Sequence, residues 1–372
     1  MKKILLIIFC VLLVGALYLN RDALGALFFG PTESTVPEGE IETGTREPET
    51  IVDGLAIPWE IAFLPGGDFL VTERAGRLLR IGENRDVIEI QGVAHRGEGG
   101  LLGLALHPRF TENSFIYLYL TTASGGGLTN RVERYTLEGT TLRNRRVIIE
   151  NIPGASNHDG GRIAFGPDGK LYIATGDAGV EESAQDIKNL AGKVLRLNED
   201  GSIPADNPFS SAVYSYGHRN VQGLAWDETG ALWATEHGRS GAVSGFDEVN
   251  KIEKGTNYGW PEVEGDERRN GMRSPEVHSG ASDTWAPSGM AHFKGNVLFA
   301  GLRGQSLYVV DVSSGSAQAL RSFFRGEFGR LRTVAVGPDG MIYLLTNNRD
   351  GRGSPRAGDD RIVRIDPVSL GI

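Results

Sequence analysis

The sequence predicts an all-β fold, a six-bladed β-propeller of four-stranded antiparallel sheets, on three observations. One short phrase (apolar strand, tight turn, apolar strand) occurs six times. Its copies are spaced by about 45 to 65 residues, room for four strands per blade. Glycine supplies 52 of 372 residues without a collagen period, so the glycines serve turns between many short strands. Single blades cannot bury both faces alone and must close as one unit. A pair of β-sandwiches would not need equivalent segments to recur in phase.

The first element is the N-terminus. Lys2-Lys3 precedes the apolar run ILLIIFCVLLVGALYL at positions 4–19. A basic start and a short apolar run describe an export signal, and a spanning helix needs roughly 20 apolar residues. Ala23-Leu24-Gly25 offers small residues for cleavage. Residues 1–25 therefore read as a signal peptide or a retained membrane anchor. Either places the rest of the chain outside the cytoplasm, in the periplasm or extracellular space. Cys10, the one cysteine, lies in this run, so the globular part has no disulfide and no thiol chemistry. Residues 26–48 are polar, acidic and Pro-containing and read as a linker without a core.

The propeller spans 49–372. Its copies are IAFLPGGDFLVTE from Ile61, LALHPRFTENSFIYLYL from Leu104, IAFGPDGKLYIATGD from Ile163, LAWDETGALWATE from Leu224, MAHFKGNVLFAG from Met290 and VAVGPDGMIYLLT from Val334. Turns such as Pro-Gly-Gly and Pro-Asp-Gly suit hairpins, because Gly and Asp supply the backbone angles needed. The second strand of each copy is almost wholly apolar, as a strand covered on both faces should be. Outer strands follow at GRLLRI, RVERYTLEG, GKVLRLNEDG, DEVNKIEKG, SLYVVDV and RIVRIDP. A helix is expected only around Glu182–Leu190.

The formal charge of −9 argues against a nucleic-acid partner, which would want a basic stripe. In a propeller the first strand of each blade lines the axis, and its start emerges on the same face as the end of the second strand. Before the first strands stand Glu98, His158, Arg219 with Asn220, and Arg330 with Arg332. After the second strands stand Glu73, Asp177, Glu236-His237-Gly238 and Arg303. Buried charges are costly unless paired or given a ligand. Clustered arginines, acids and a candidate base describe a pocket for an anionic, planar ligand beside a proton-transfer centre. His107 and His218 fall inside turn phrases and read as structural. No Cys/His ligand pattern is present, which argues against zinc. The stretch Gly238–Gly245 followed by Asp247-Glu248 offers oxygen ligands for a hard cation such as calcium. Neither Gly-x-Ser-x-Gly nor a P-loop occurs.

At these residues the chain resembles the soluble PQQ-dependent sugar dehydrogenases, the glucose/sorbosone dehydrogenase family that includes bacterial aldose sugar dehydrogenases. The resemblance runs from Leu55 to Asp366 and is carried by GLLGLALHPRF, HDGGRIAFGPDGKLYIATGD, YSYGHRNVQGLAW, EHG, DEVNKIEKGTNYGWP, APSGM and LRTVAVGPDGMIYLLT. It implies a six-bladed propeller that oxidises aldoses at the anomeric carbon to lactones, with PQQ and Ca2+ as cofactors and an electron acceptor outside the cytoplasm. It implies that His158 is the general base, that Asp177 orients it, and that Arg219 and Asn220 contact the quinone. Arg303, Arg330 and Arg332 would meet the cofactor's carboxylates. The active-site calcium would be held by carbonyls of Gly238 and Arg239. A second calcium near Asp247, Glu248 and Tyr258 follows by the same analogy. Two positions depart from the family: Glu98 stands where Gln is usual, and Arg239 where Pro follows E-H-G. A carboxylate at Glu98 is expected to repel a polyanionic cofactor unless protonated or metal-bound. Two other functions share the fold, a calcium-dependent propeller lactonase and a non-catalytic binding propeller.

Overall fold

In the computed structural model, which describes residues 30–240 and 244–372, each copy of the repeat becomes the two inner strands of one sheet. There are six such sheets, each of four antiparallel strands, numbered here as blades one to six along the chain. The axis-lining strands are Pro58–Phe63, Leu101–Leu106, Ile163–Phe165, Val221–Trp226, Pro287–Phe293 and Leu331–Val336. The apolar second strands are buried along their length at Leu171–Ala174, Leu232–Glu236 and Ile342–Thr346. Covered on both faces, they need no alternation of polar and apolar residues.

Six apolar clusters fill the six seams between blades. Leu70 and Leu78 of blade one meet Leu101 and Leu118 of blade two, for example. Each such side chain contributes about 1.5–3 kcal/mol on burial. The ring closes where Val71 and Leu79 meet Leu345 and Ile362. The strand Glu49–Val52 completes blade six by pairing with Ile362–Ile365, Glu49 opposite Arg364 and Thr50 opposite Val363. The two ends of the propeller are thus held in one sheet.

The inner strands carry a second regularity that bears on the site. In five of them the pairing register shifts near the start, between Pro58 and Glu60, Leu101 and Leu104, Val221 and Gly223, Pro287 and Met290, and Leu331 and Thr333. A bulge re-aims side chains and marks functional rims. Here it leaves Trp59, Gln222, Ser288 and Arg332 in an axial layer. Arg332 Nη1 donates to Gln222 Oε1 (2.7 Å) and Ser288 Oγ (3.2 Å). Alongside, Arg162 pairs with Glu60, donates from Nε to the Gln222 carbonyl (2.8 Å) and from Nη2 to Thr333 Oγ1 (3.1 Å), and covers the Trp59 ring at 4.2 Å. One guanidinium from blade three therefore ties blades one, four and six across the axis.

Two expectations need correction. Residues 30–48 are not a coreless linker. Val36 is buried in the seam between blades four and five, and Asp283 accepts hydrogen bonds from Thr32 Oγ1, Ser34 Oγ and the Thr35 amide. The composition is polar because the segment is held by hydroxyls on one buried carboxylate. The expected helix around Glu182–Leu190 is a single 3-10 turn, Glu181–Ala184, because Lys193 Nζ draws the carbonyls of Ser183, Ala184 and Ala191 inward. The signal or anchor assigned to residues 1–25 lies outside the described residues. Among those described, no helix is long and apolar enough to cross a membrane.

Candidate active site

The ends of the strands converge as the repeat phase requires. A cavity of about 230 Å³ opens on the axis and is lined by Glu98, Asn157, His158, Arg219, His237, Gly238, Arg239, Ser240, Ser244, Asp247, Thr284, Ala286, Leu302, Arg303, Arg330 and Arg352. Five arginines face two carboxylates there.

His158 sits in the loop entering blade three, with a left-handed backbone at φ 58°. That conformation is costly for a residue with a Cβ and clusters at functional sites. Its carbonyl lies on Gly176, where an added Cβ would come within 1.9 Å of it, so the glycine of Thr-Gly-Asp is needed for the close approach. The next residue, Asp177, is fully buried, and its Oδ1 lies 2.7 Å from His158 Nδ1. The carboxylate also accepts from the Gly179 amide (2.8 Å) and from Trp260 Nε1 (2.9 Å). Burial pushes its pKa up, but the hydrogen bond and charge of His158 outweigh this and hold it below the usual value. Asp177 is thus an ionised acceptor that keeps the proton on Nδ1 and leaves Nε2 for chemistry.

Glu98 is not the repulsive group expected from sequence. Its Oε2 accepts the His158 amide (3.0 Å), and its Oε1 pairs with Arg352 Nη1 at 2.7 Å. Burial raises its pKa, yet Arg352, His237 and these hydrogen bonds bring it down to about 2. The charge is already matched within the protein. Arg352 lies six residues past the second strand of blade six, Ile342–Thr346, whereas Arg303 lies two past that of blade five, Asn296–Gly301, so the repeat phase does not point to it.

Arg219 donates to Ser240 Oγ (3.1 Å) and lies 5.2 Å over the Trp260 ring. Arg303 donates to Ser244 Oγ (2.6 Å) and to the Gly30 carbonyl (2.8 Å), so the strap formed by residues 30–48 reaches the cavity wall. Arg330 forms a buried pair with Asp350 at 2.9 Å. Burial lowers the pKa of Arg219 and Arg303 but leaves them cationic near neutrality. His237 is pushed down to about 3 by burial and is a neutral hydrogen-bonding group.

Four of the sequence-assigned residues lie elsewhere than expected. Arg332 belongs to the axial layer, because the bulge turns it inward, and burial brings its pKa to about 9. Asn220 is buried behind His158, with Oδ1 accepting the Gly160 amide (3.0 Å). Glu248 turns away to Asn250 (3.0 Å), and Tyr258 stacks on His218 and bonds the Lys251 carbonyl (2.6 Å). Asp247 does line the cavity, but its carboxylate is committed to the amides of Gly238 (2.8 Å), Trp285 (2.7 Å) and Ala286 (2.8 Å). The side chains of Asp247, Glu248 and Tyr258 therefore do not form a calcium cage, and among the described residues no group of three His, Cys, Asp or Glu side chains does so. Carbonyls instead crowd the turn at cavity-lining Gly238: a Cβ there would fall 2.2 Å from the Gly245 oxygen and 2.3 Å from that of Phe246. The Arg239 carbonyl meets the Gly245 amide at 3.3 Å. His218, held between Ser215 Oγ (2.8 Å) and Glu236 (2.8 Å), and His107, on Glu199 (2.6 Å), are structural as expected.

Two side chains that line the cavity, Arg219 and His237, each keep a buried nitrogen, Nε and Nε2, without a partner among the described residues. An excess of buried donors fits a ligand rich in acceptors and negative charge, and PQQ, with its carboxylates and quinone oxygens, is such a ligand.

This combination of propeller and axial site defines a family. The model of the glucose/sorbosone dehydrogenases matches residues 55–359, and the chain belongs to that family. An aldose sugar dehydrogenase of Escherichia coli K12 is 32% identical over 347 residues, covering 83% of this chain and 92% of its own. Quinoprotein glucose dehydrogenase B of Acinetobacter calcoaceticus is 35% identical over 255 residues, covering 58% of this chain and 52% of its own. The PQQ-bound structure of an aldose sugar dehydrogenase from Streptomyces coelicolor superimposes with a TM-score of 0.80 at 42% identity, covering 89% of this chain and 99% of that one.

Proposed function

We propose that this protein is a quinoprotein that oxidises aldoses at the anomeric carbon to lactones, using PQQ. The observation that carries the reading is His158 in the wall of an arginine-lined axial cavity, backed by buried Asp177 at 2.7 Å. Arg303, Arg330 and Arg219 would hold the cofactor's carboxylates and quinone oxygens, and His237 would offer a hydrogen bond. PQQ, when bound, supplies an ortho-quinone that accepts a hydride. His158 Nε2 takes the proton of the anomeric hydroxyl as the hydride leaves carbon. Asp177 keeps the ring in that tautomer and supports its charged form. Glu98 fixes the backbone of His158 and, paired with Arg352, adds no net charge. Calcium belongs to this reading as an occupant of the carbonyl-lined turn at Gly238, and no step above depends on it.

The Lys2-Lys3 start and the apolar run at 4–19 support export to the periplasm or extracellular space, by a cleaved signal or a retained anchor, and an electron acceptor there. The test is reconstitution of the apoprotein with PQQ and calcium, followed by aldose and an artificial dye. Dye reduction supports the proposal. Lactone opening without PQQ would point to a hydrolase instead, and absence of bound-cofactor absorbance to a binding propeller.

A further inference from the structure

Trp260, in the loop after the third strand of blade four, touches both halves of the site. We propose that it is the positioning residue of the site: its indole N–H fixes the carboxylate that orients the base, while its ring face fixes Arg219. The inference rests on His158 being the base. Nε1 donates to Asp177 Oδ2 (2.9 Å), whereas the other oxygen, Oδ1, serves His158 and the Gly179 amide. Asp177 is fully buried, so loss of the indole donor leaves an anionic oxygen without a partner. The carboxylate would then rotate or take up a proton, and either change releases the His158 tautomer. The Arg219 guanidinium lies 5.2 Å from the ring centroid, within cation–π range.

The backbone of Trp260 is itself held on both sides. Its amide donates to the Gly217 carbonyl (2.9 Å), and its carbonyl accepts from Gln185 Nε2 (2.6 Å). Gln185 is in turn locked to Asn257 by a reciprocal amide pair (2.7 and 3.1 Å). Gln185 and Asp177 belong to blade three and Trp260 to blade four. The clamp therefore crosses a blade seam and sets the base against the arginine on its neighbour.

Two substitutions separate the roles. Trp260→Phe removes the N–H and keeps the ring face; Trp260→Leu removes both. Trp260→Phe should lower kcat about 10- to 100-fold with KM and PQQ affinity within about threefold, as loss of one hydrogen bond to a charged group implies. Trp260→Leu should show that loss and, in addition, weaken PQQ binding. The apoprotein supplies a readout independent of the reaction: the downfield proton resonance of the His158–Asp177 hydrogen bond should be present in wild type and lost or broadened in Trp260→Phe. Gln185→Met, which loosens the Trp260 peptide without touching Asp177, should act in the same direction if Trp260→Phe fails to fold. Equal loss of kcat and PQQ affinity in both Trp260 variants, or an unchanged resonance with wild-type kcat in Trp260→Phe, overturns the inference. If the wild type itself fails to reduce dye with any aldose while the resonance responds as expected, the substrate reading is at fault and the positioning role stands.

Discussion

Asp177→Asn is the sharpest test of the proposed chemistry. All three described partners of this carboxylate donate to it: His158 Nδ1 at 2.7 Å, the Gly179 amide at 2.8 Å and Trp260 Nε1 at 2.9 Å. An amide has one accepting oxygen, so its NH2 must face at least one of these donors. With the NH2 on the Oδ1 side, the imidazole can respond only by moving its proton to Nε2, and the nitrogen facing the substrate cannot then remove another; with the NH2 on the Oδ2 side, it opposes the indole N–H, and the ring loses the charged acceptor that supports its cationic form. The equivalent exchange in a Ser-His-Asp triad lowers kcat by about 10⁴, and general-base catalysis as a whole contributes about 10²–10⁴. At about 1.4 kcal/mol per decade this is about 3–5.5 kcal/mol of barrier. The assay is dye-coupled aldose oxidation by PQQ-loaded protein, with PQQ affinity measured in parallel by absorbance titration. We expect kcat to fall at least a hundredfold while PQQ affinity changes less than threefold, because Asp177 does not line the cavity. Turnover within threefold of wild type would refute the assignment of His158 and Asp177 as base and orienter.

Arg162→Met should cost about 3–5 kcal/mol in urea unfolding, because it strands the Glu60 carboxylate on the axis; a loss under about 1 kcal/mol would show that the axial ion pair is not a staple. Glu98, held at about 2, contributes ion-pair stability that is complete above its ordinary value of 4.5 and is lost as pH falls toward 2. The stability gap between wild type and Glu98→Gln should accordingly narrow as unfolding is measured from about pH 6 down to pH 3, and a constant gap would contradict the pairing with Arg352. Thr32→Val with Ser34→Ala removes two hydrogen bonds to buried Asp283 and should lower stability by about 1.5–3 kcal/mol in thermal unfolding; no change would mean the strap is not part of the fold.

The six-blade architecture was legible because burial on both faces writes itself into every copy of the repeat, and the number of copies is the number of blades. The residues His158, Asp177, Arg219, Arg303 and Arg330 were legible for the same reason, since strand phase carries them to one end of the axis. Other partners were hidden by the distances along the chain between residues that meet. Arg352 reaches Glu98 across 254 positions, and Trp260 reaches Asp177 across 83. Neither has a sequence signal of its own beyond the loop that bears it. Phase also failed where the backbone departs from a regular ladder: a bulge of one residue sends Arg332 into the axial layer instead of the cavity wall. Composition misjudged residues 30–48, because a polar segment can be ordered by one buried acceptor as firmly as by an apolar face.

The amino-acid order alone determined the strand pattern, the blade number and the class of chemistry, since each depends on local periodicity or on residue type at a repeated phase. Which carboxylates are charged, which arginines are already matched and which groups face the ligand were decided only by the closed ring. These depend on burial and on contacts a few ångströms long between blades that are remote in the chain, and no local pattern encodes them.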